Sequence, residues 1–116
     1  LNYSLHKDGI KQVPFHEGKS IEYQKGYILN EKDEKIFHFT YSTEPHLGKF
    51  RVTLREEIGE QFKTYVFGLT YNNNQLQIES ENQLAMDVVK PFQKTVDMKF
   101  YQILNLIMKD GIQARS

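Results

Sequence analysis

Residues 35–80 read KIFHFTYSTEPHLGKFRVTLREEIGEQFKTYVFGLTYNNNQLQIES. Apolar, β-rich segments alternate there with turn residues. In Ile36 to Thr43, Phe37, Phe39 and Tyr41 fall on one side and Ile36, His38 and Thr40 on the other; the larger, more apolar set is assigned to the core. Phe50 to Glu56 has the cleanest period of two, with Phe50, Val52 and Leu54 inward and Arg51, Thr53 and Arg55 outward. Gly59 marks a short reversal. Phe62 to Tyr71 is apolar on both parities, with Tyr65, Phe67, Leu69 and Tyr71 on one side and Phe62 and Val66 on the other, the pattern of a central strand. Asn72-Asn73-Asn74 reads as a tight turn, because Asn tolerates the left-handed conformation of hairpin loops, and Leu76 and Ile78 mark the returning strand.

Upstream, Ser20 to Asn30 reads as a strand whose alternation slips at Gly26. A glycine inside a strand pattern predicts a bulge there. Asn2 to His6 fits a short strand with Tyr3 and Leu5 on one face. Asp8-Gly9 is a turn signal, and Val13-Pro14-Phe15 is extended because the residue before proline is pushed out of the helical region. Pro45 and Gly48 punctuate a loop. Downstream the period changes after residue 82. Leu84 to Lys90 fits a helix or a strand, and Pro91 either breaks it or opens the next element. From Phe92 to Asp110 the spacing of Val96, Phe100, Ile103, Leu104 and Ile107 predicts an amphipathic helix. Lys109 complements its dipole, and Gly111 is placed to end it in a left-handed turn, with Ile112 folding back on Ile107.

These elements predict a single α+β domain over residues 1–116: an antiparallel meander of five to six strands with a C-terminal helix packed on one face. That order of elements resembles pleckstrin-homology-like and single-strand-binding sheet-plus-helix folds in shape, and the chain carries no residue motif of either family. The chain opens on Leu1 rather than methionine, so excision from a larger protein is one expectation.

Composition removes several chemistries. The 116 residues include 8 Phe and 7 Tyr, so a packed core is within reach. Lys+Arg and Asp+Glu are equal at 15 each, without the basic excess of a dedicated duplex-DNA binder. The absence of cysteine excludes thiol catalysis, disulfides and iron–sulfur sites. No apolar run approaches the roughly 18 residues needed to span a bilayer, so no membrane span is expected. The polar N-terminus shows no signal peptide, which fits a cytoplasmic protein.

Motifs fail in turn. Gly18-Lys19-Ser20 resembles the end of a phosphate-binding loop, but Val13 stands where its first glycine belongs. His16-Glu17 begins a zinc-protease pattern whose second histidine would fall at Ser20. Neither G-x-S-x-G nor G-x-G-x-x-G occurs. The acidic-x-Lys pairs Glu17/Lys19, Asp33/Lys35 and Asp97/Lys99 are expected by chance. No cofactor and no metal are implied.

The candidate binding residues lie on the outward side of the strands. Arg51, Thr53 and Arg55 make a line roughly 13 Å long by strand rise, suited to carboxylates or phosphates through the arginine forks. His38 and Thr40 are expected beside them, and Lys63 adds a cation. His6, His16 and His46 read as plain surface residues. Most aromatics share parity with the aliphatic core, although Tyr23, Tyr27, Tyr41, Tyr65 and Tyr71 retain the option of a wet tip. The leading expectation is a non-enzymatic module that binds a macromolecule, a protein before others, through the sheet face opposite the helix or an exposed edge. Single-stranded nucleic acid on the same face, an enzyme acting at His38, and self-association are the alternatives.

Overall fold

Short turns dictate the topology. A computed structural model describes residues 2–43, 49–73, 75–92 and 98–113. The strands are β1 (Ser4–His16), β2 (Lys19–Leu29), β3 (Lys35–Ser42), β4 (Phe50–Ile58), β5 (Gln61–Asn72) and β6 (Gln75–Ser80). They form one antiparallel sheet in the order of the chain. Glu17 and Gly18, with φ of 51° and 75°, close the β1–β2 hairpin in the primed geometry that matches strand twist. Between β2 and β3 the backbone N–H groups of Lys32 and Glu34 donate to Asn30 Oδ1 at 2.9 and 3.0 Å. Gly59 (φ 65°) turns β4 into β5, and Asn73 (φ 54°) turns β5 into β6, as the turn residues predict. The Pro45–Gly48 loop, like Val96, lies outside the described residues.

Two helices follow: α1 (Gln83–Phe92) and α2 (Met98–Gln113). Both pack on the face that carries Phe37, Phe39, Tyr41, Phe50, Val52, Leu54, Tyr65, Phe67 and Leu69, all buried. The inward assignments for β3 and β4 therefore hold residue for residue, and on β5 Tyr65, Phe67 and Leu69 are buried while Tyr71 is partly so. From the helices come Ala85, Val88, Phe100, Ile103, Leu104, Ile107 and Met108. Phe100 meets Phe37 (5.4 Å, 60°) and Tyr65 (5.2 Å, 61°) edge-on. Near the other end of α2, Gly111 lies against the rings of Phe50 and Tyr41. Contacts at residues 37 and 100, then at 41 and 111, set α2 broadly along β3 with both running the same way.

Three expectations are corrected. Gly26 is not a bulge: it pairs in register with Lys7 on one side and Phe39 on the other. An added Cβ would lie 2.6 Å from the Phe39 ring and would collide with the His6 carbonyl. The bulge sits in β1, between Lys7 and Ile10, where Gly9 has φ 92°. Residues 84–90 are helical, and α1 runs through Pro91 to end one residue later, so Phe92 closes one helix instead of opening the next. Gly111 does not stop α2, which continues to Gln113; its missing side chain permits close approach to the sheet, where a Cβ would meet Phe50 at 3.1 Å. Ile112 is accordingly 42% exposed and does not fold back on the helix. The central placing of residues 62–71 holds, since β5 lies between β4 and β6, and its second face is open where Phe62 is 54% exposed.

Two polar joints fix the helices. Strand β6 stops at Ser80, opposite Phe67, and the β5 edge beyond it is finished by Asn82. Its side-chain amide donates to Thr64 O (2.8 Å), while Oδ1 accepts from Val66 N (3.3 Å) and from Ala85 N (2.9 Å), the last being the N-cap bond of α1. At the end of α2, Asp110 accepts a hydrogen bond from the buried Tyr41 hydroxyl and pairs with Lys7 Nζ at 3.2 Å. A carboxylate near a helix C-terminus is unfavourable with respect to the dipole, and these two partners offset that. Burial, then the hydrogen bond to Asp110, push the Tyr41 phenol well above the ordinary tyrosine range.

Asn82→Ala is expected to destabilise the domain by about 2–3 kcal/mol, from the lost cap and the orphaned strand groups. Asn82→Asp, which keeps the acceptor alone, is expected to cost less; urea denaturation orders the variants. Because the folded state holds the Tyr41 proton that the unfolded chain releases above pH ~10, this contribution is complete below that pH and fades as pH rises. Tyr41→Phe should lose about 1–3 kcal/mol at neutral pH and show a flatter decline of stability in alkali than the parent.

Candidate binding face

Cross-strand register assembles the face turned away from the helices. One row runs His6, Tyr27, His38, Arg55 and Thr64 from β1 to β5. The next row along the strands runs Lys25, Thr40, Thr53 and Val66 from β2 to β5. Of the candidates named from sequence, His38, Thr40, Thr53 and Arg55 thus stand together as direct neighbours. With Thr64, Lys25, Lys11 and Asp8 they line a concavity of about 740 Å³. The β1 bulge brings Asp8 and Lys11 to the same concavity as Arg55, on a strand three places away in the sheet.

Arg51 and Lys63 part from this group. Arg51 Nε lies 3.4 Å from Glu81 Oε2, just ahead of α1. Beside it Lys49 Nζ reaches Glu79 at 2.9 Å and Glu81 at 3.9 Å. The hydrogen bond to Glu79 raises the Lys49 ammonium above its usual value. Gly68 makes room for this: a Cβ there would lie 2.8 Å from Lys49 Cδ. Lys63 stands opposite Glu56 in the strand register and shares the parity of Tyr65 and Phe67, so it belongs to the helix-side face, at the exposed end of β5.

Other groups on the open face are partly engaged. Arg55 Cζ lies 4.6 Å over the Phe62 ring, a cation–π contact. His38 Nε2 lies 3.7 Å from Glu57 Oε1, and both side chains are well exposed (42% and 61%). His6 is exposed, yet it stacks on Tyr27 at 4.6 Å, and Lys35 Nζ lies 4.2 Å from that ring. His16 pairs with Glu17 at 3.5 Å, and His46 lies outside the described residues. Among the described residues Lys11 and Lys25 have no ion pair, and the hydroxyls of Thr40, Thr53 and Thr64 make no hydrogen bond.

The tyrosines sort against a stacking platform. Tyr41 and Tyr65 are buried in the core, and Tyr71 donates to Asn105 Oδ1 of α2 at 3.2 Å. Only Tyr23 and Tyr27 have the parity of the open face. No group of three or more His, Cys, Asp or Glu able to hold a metal occurs among the described residues, and none of the described helices is long and apolar enough to cross a membrane.

Lys11, Lys25 and Thr64 were missed from sequence. Lys25 had a legible signal, since Tyr23, Lys25 and Tyr27 alternate against Gln24, Gly26 and Ile28, but the supposed bulge at Gly26 broke that count. Lys11 was not legible, because its face depends on the β1 bulge. No protein-family model, curated protein or solved structure matches this chain.

Lys25 and Arg55 are exposed and carry no part of the core. Lys25→Ala and Arg55→Ala should each change stability by less than about 1 kcal/mol, and Arg51→Ala likewise despite its ion pair; urea midpoints check this.

Proposed function

We propose that the chain is a non-enzymatic binding module that recognises a partner protein through the sheet face opposite its helices. The observation that carries this is the concavity on that face, whose lysines and threonines the fold itself leaves unpaired. Proteins use such faces and the adjacent strand edges for recognition because side chains on rigid strands hold their positions.

The alternatives draw less support. Non-specific single-strand binders stack bases on exposed aromatics among cations, whereas here Tyr41, Tyr65 and Tyr71 serve the core side, and Glu57, Glu79 and Glu81 stand among the cations. Catalysis at His38 would require a general base within hydrogen-bond reach of its proton. The His38–Glu57 separation of 3.7 Å, with both side chains in solvent, suits a surface pair.

Affinity capture from the native host is the test, with the parent, a Lys25→Glu/Arg55→Glu variant, and Lys63→Glu on the other face. The expected result is protein enrichment by the parent and by Lys63→Glu that the double variant loses. Salt-sensitive binding of labelled single-stranded DNA or RNA in place of protein would transfer the face to nucleic acid. A dimer in light scattering, broken by the double variant, would make the partner a second copy.

A further inference from the structure

We infer that the concavity between Lys11, Lys25 and Arg55 is a carboxylate-binding subsite, and that its occupant is an extended acidic segment of the partner protein. This deepens the binding-face reading and rests on it.

Charge is the first ground. The chain is neutral as a whole, with 15 charges of each sign. The residues that line the concavity carry three cations, Lys11, Lys25 and Arg55, against the single carboxylate of Asp8, with Glu57 beside them at His38. Elsewhere on the sheet Lys7, Lys49 and Arg51 are matched by Asp110, Glu79 and Glu81, while Lys19 and Lys63 stand singly without an ion pair among the described residues. Inside the concavity the unmatched cations stand together. Lys11 and Lys25 have no partner among the described residues, and Arg55 gives its guanidinium face to Phe62, which leaves its N–H edge open to a carboxylate fork.

Hydrogen bonding is the second. Thr40, Thr53 and Thr64 are half-buried, and their hydroxyls have no acceptor among the described residues. Thr40 and Thr53 are direct cross-strand partners, and Thr64 stands beside Arg55. A carboxylate between them would accept short hydrogen bonds while meeting the cations. His38 adds a ring N–H on the same wall.

Size selects the occupant. At about 740 Å³ the space exceeds what one small anion fills. From β1 to β5 the face spans four strand spacings, roughly 19 Å, or about six residues of extended chain. Acidic side chains at every second position would project toward the face about 7 Å apart, which places about three of them across that span.

The test uses the whole chain, with a fluorescein-labelled Glu-Ser repeat peptide of about eight residues as the probe and its Gln-Ser counterpart as the control. Fluorescence anisotropy is expected to show the Glu peptide binding at least about tenfold tighter than the Gln peptide, with a similar loss in Lys25→Ala/Arg55→Ala and weakening by salt. In ¹⁵N-labelled parent protein, the Glu peptide should shift the amides of Lys25, Thr40, Thr53 and Arg55, and leave Lys63 and α2 unmoved. Equal binding of the two peptides, or shifts confined to other surfaces, overturns the inference. Inorganic phosphate competing as well as the peptide would reduce the site to a small-anion site, and a tighter oligothymidylate would assign it to nucleic acid; either result also overturns it. Should the peptide fail while protein capture through this face persists, the carboxylate subsite falls and the binding-face reading stands. Loss of both ends both.

Discussion

A sheet has two faces, and this chain covers one of them. The apolar stripes of α1 and α2 must be buried, and the alternation along β3, β4 and β5 offers only one surface apolar enough to receive them. Once Phe37, Phe39 and Tyr41 lie under α2, the period of two sends His38 and Thr40 to the other side, and antiparallel register places Arg55 and Thr53 opposite them. The composition of the open face is thus a by-product of core packing. A slip of one residue in the β3–β4 register would exchange the two surfaces, and the burial of both strands' inward residues opposes that slip.

Helix α2 shows how closely the covered face is fitted. Its early anchor is aromatic, with Phe100 set edge-on to Phe37 and Tyr65. Its late anchor combines an absent side chain at Gly111 with the hydrogen bond from Tyr41 to Asp110. Helix α1 is tied by Asn82, a single side chain that both caps the helix and completes the edge of β5. None of these joints is a large term alone. Each positions an element whose apolar contacts then supply the energy, at about 1.5–3 kcal/mol for each fully buried large side chain.

The regular part of this architecture was legible because regular periodicity is a physical demand. Strands with one buried face must alternate, and Phe50 to Glu56 does so without exception. Turns were legible where backbone conformation limits the residue, as at Gly59 and Asn73. What escaped was tertiary. Gly26 and Gly111 look like local punctuation, but both are glycine because another part of the chain comes close: the Phe39 ring in one case, Phe50 and Tyr41 in the other. Asp110 beside Gly111 imitates a helix stop for the same reason, since its real partners, Tyr41 and Lys7, lie far away in sequence. Such residues satisfy a distant contact at the expense of a local rule.

The same distinction divides the candidate site. Arg51 and Arg55 look equivalent in sequence, two turns of the alternation apart on one strand. Their difference comes from what ends nearby. β6 and the approach to α1 bring Glu79 and Glu81 to the Arg51 end of β4, where Lys49 and Arg51 are neutralised. At the Arg55 end, β1 curls through its bulge and delivers Lys11 instead, next to Lys25. One end of the row is therefore closed on the protein's own carboxylates, while the other gathers like charges. Gathering like charges raises the free energy of the fold unless an anion joins them. A surface built only for solvation would have no need to place the unpaired cations together around three hydroxyls free of any protein partner among the described residues, and that arrangement is the physical ground of the recognition proposed for this end of the sheet.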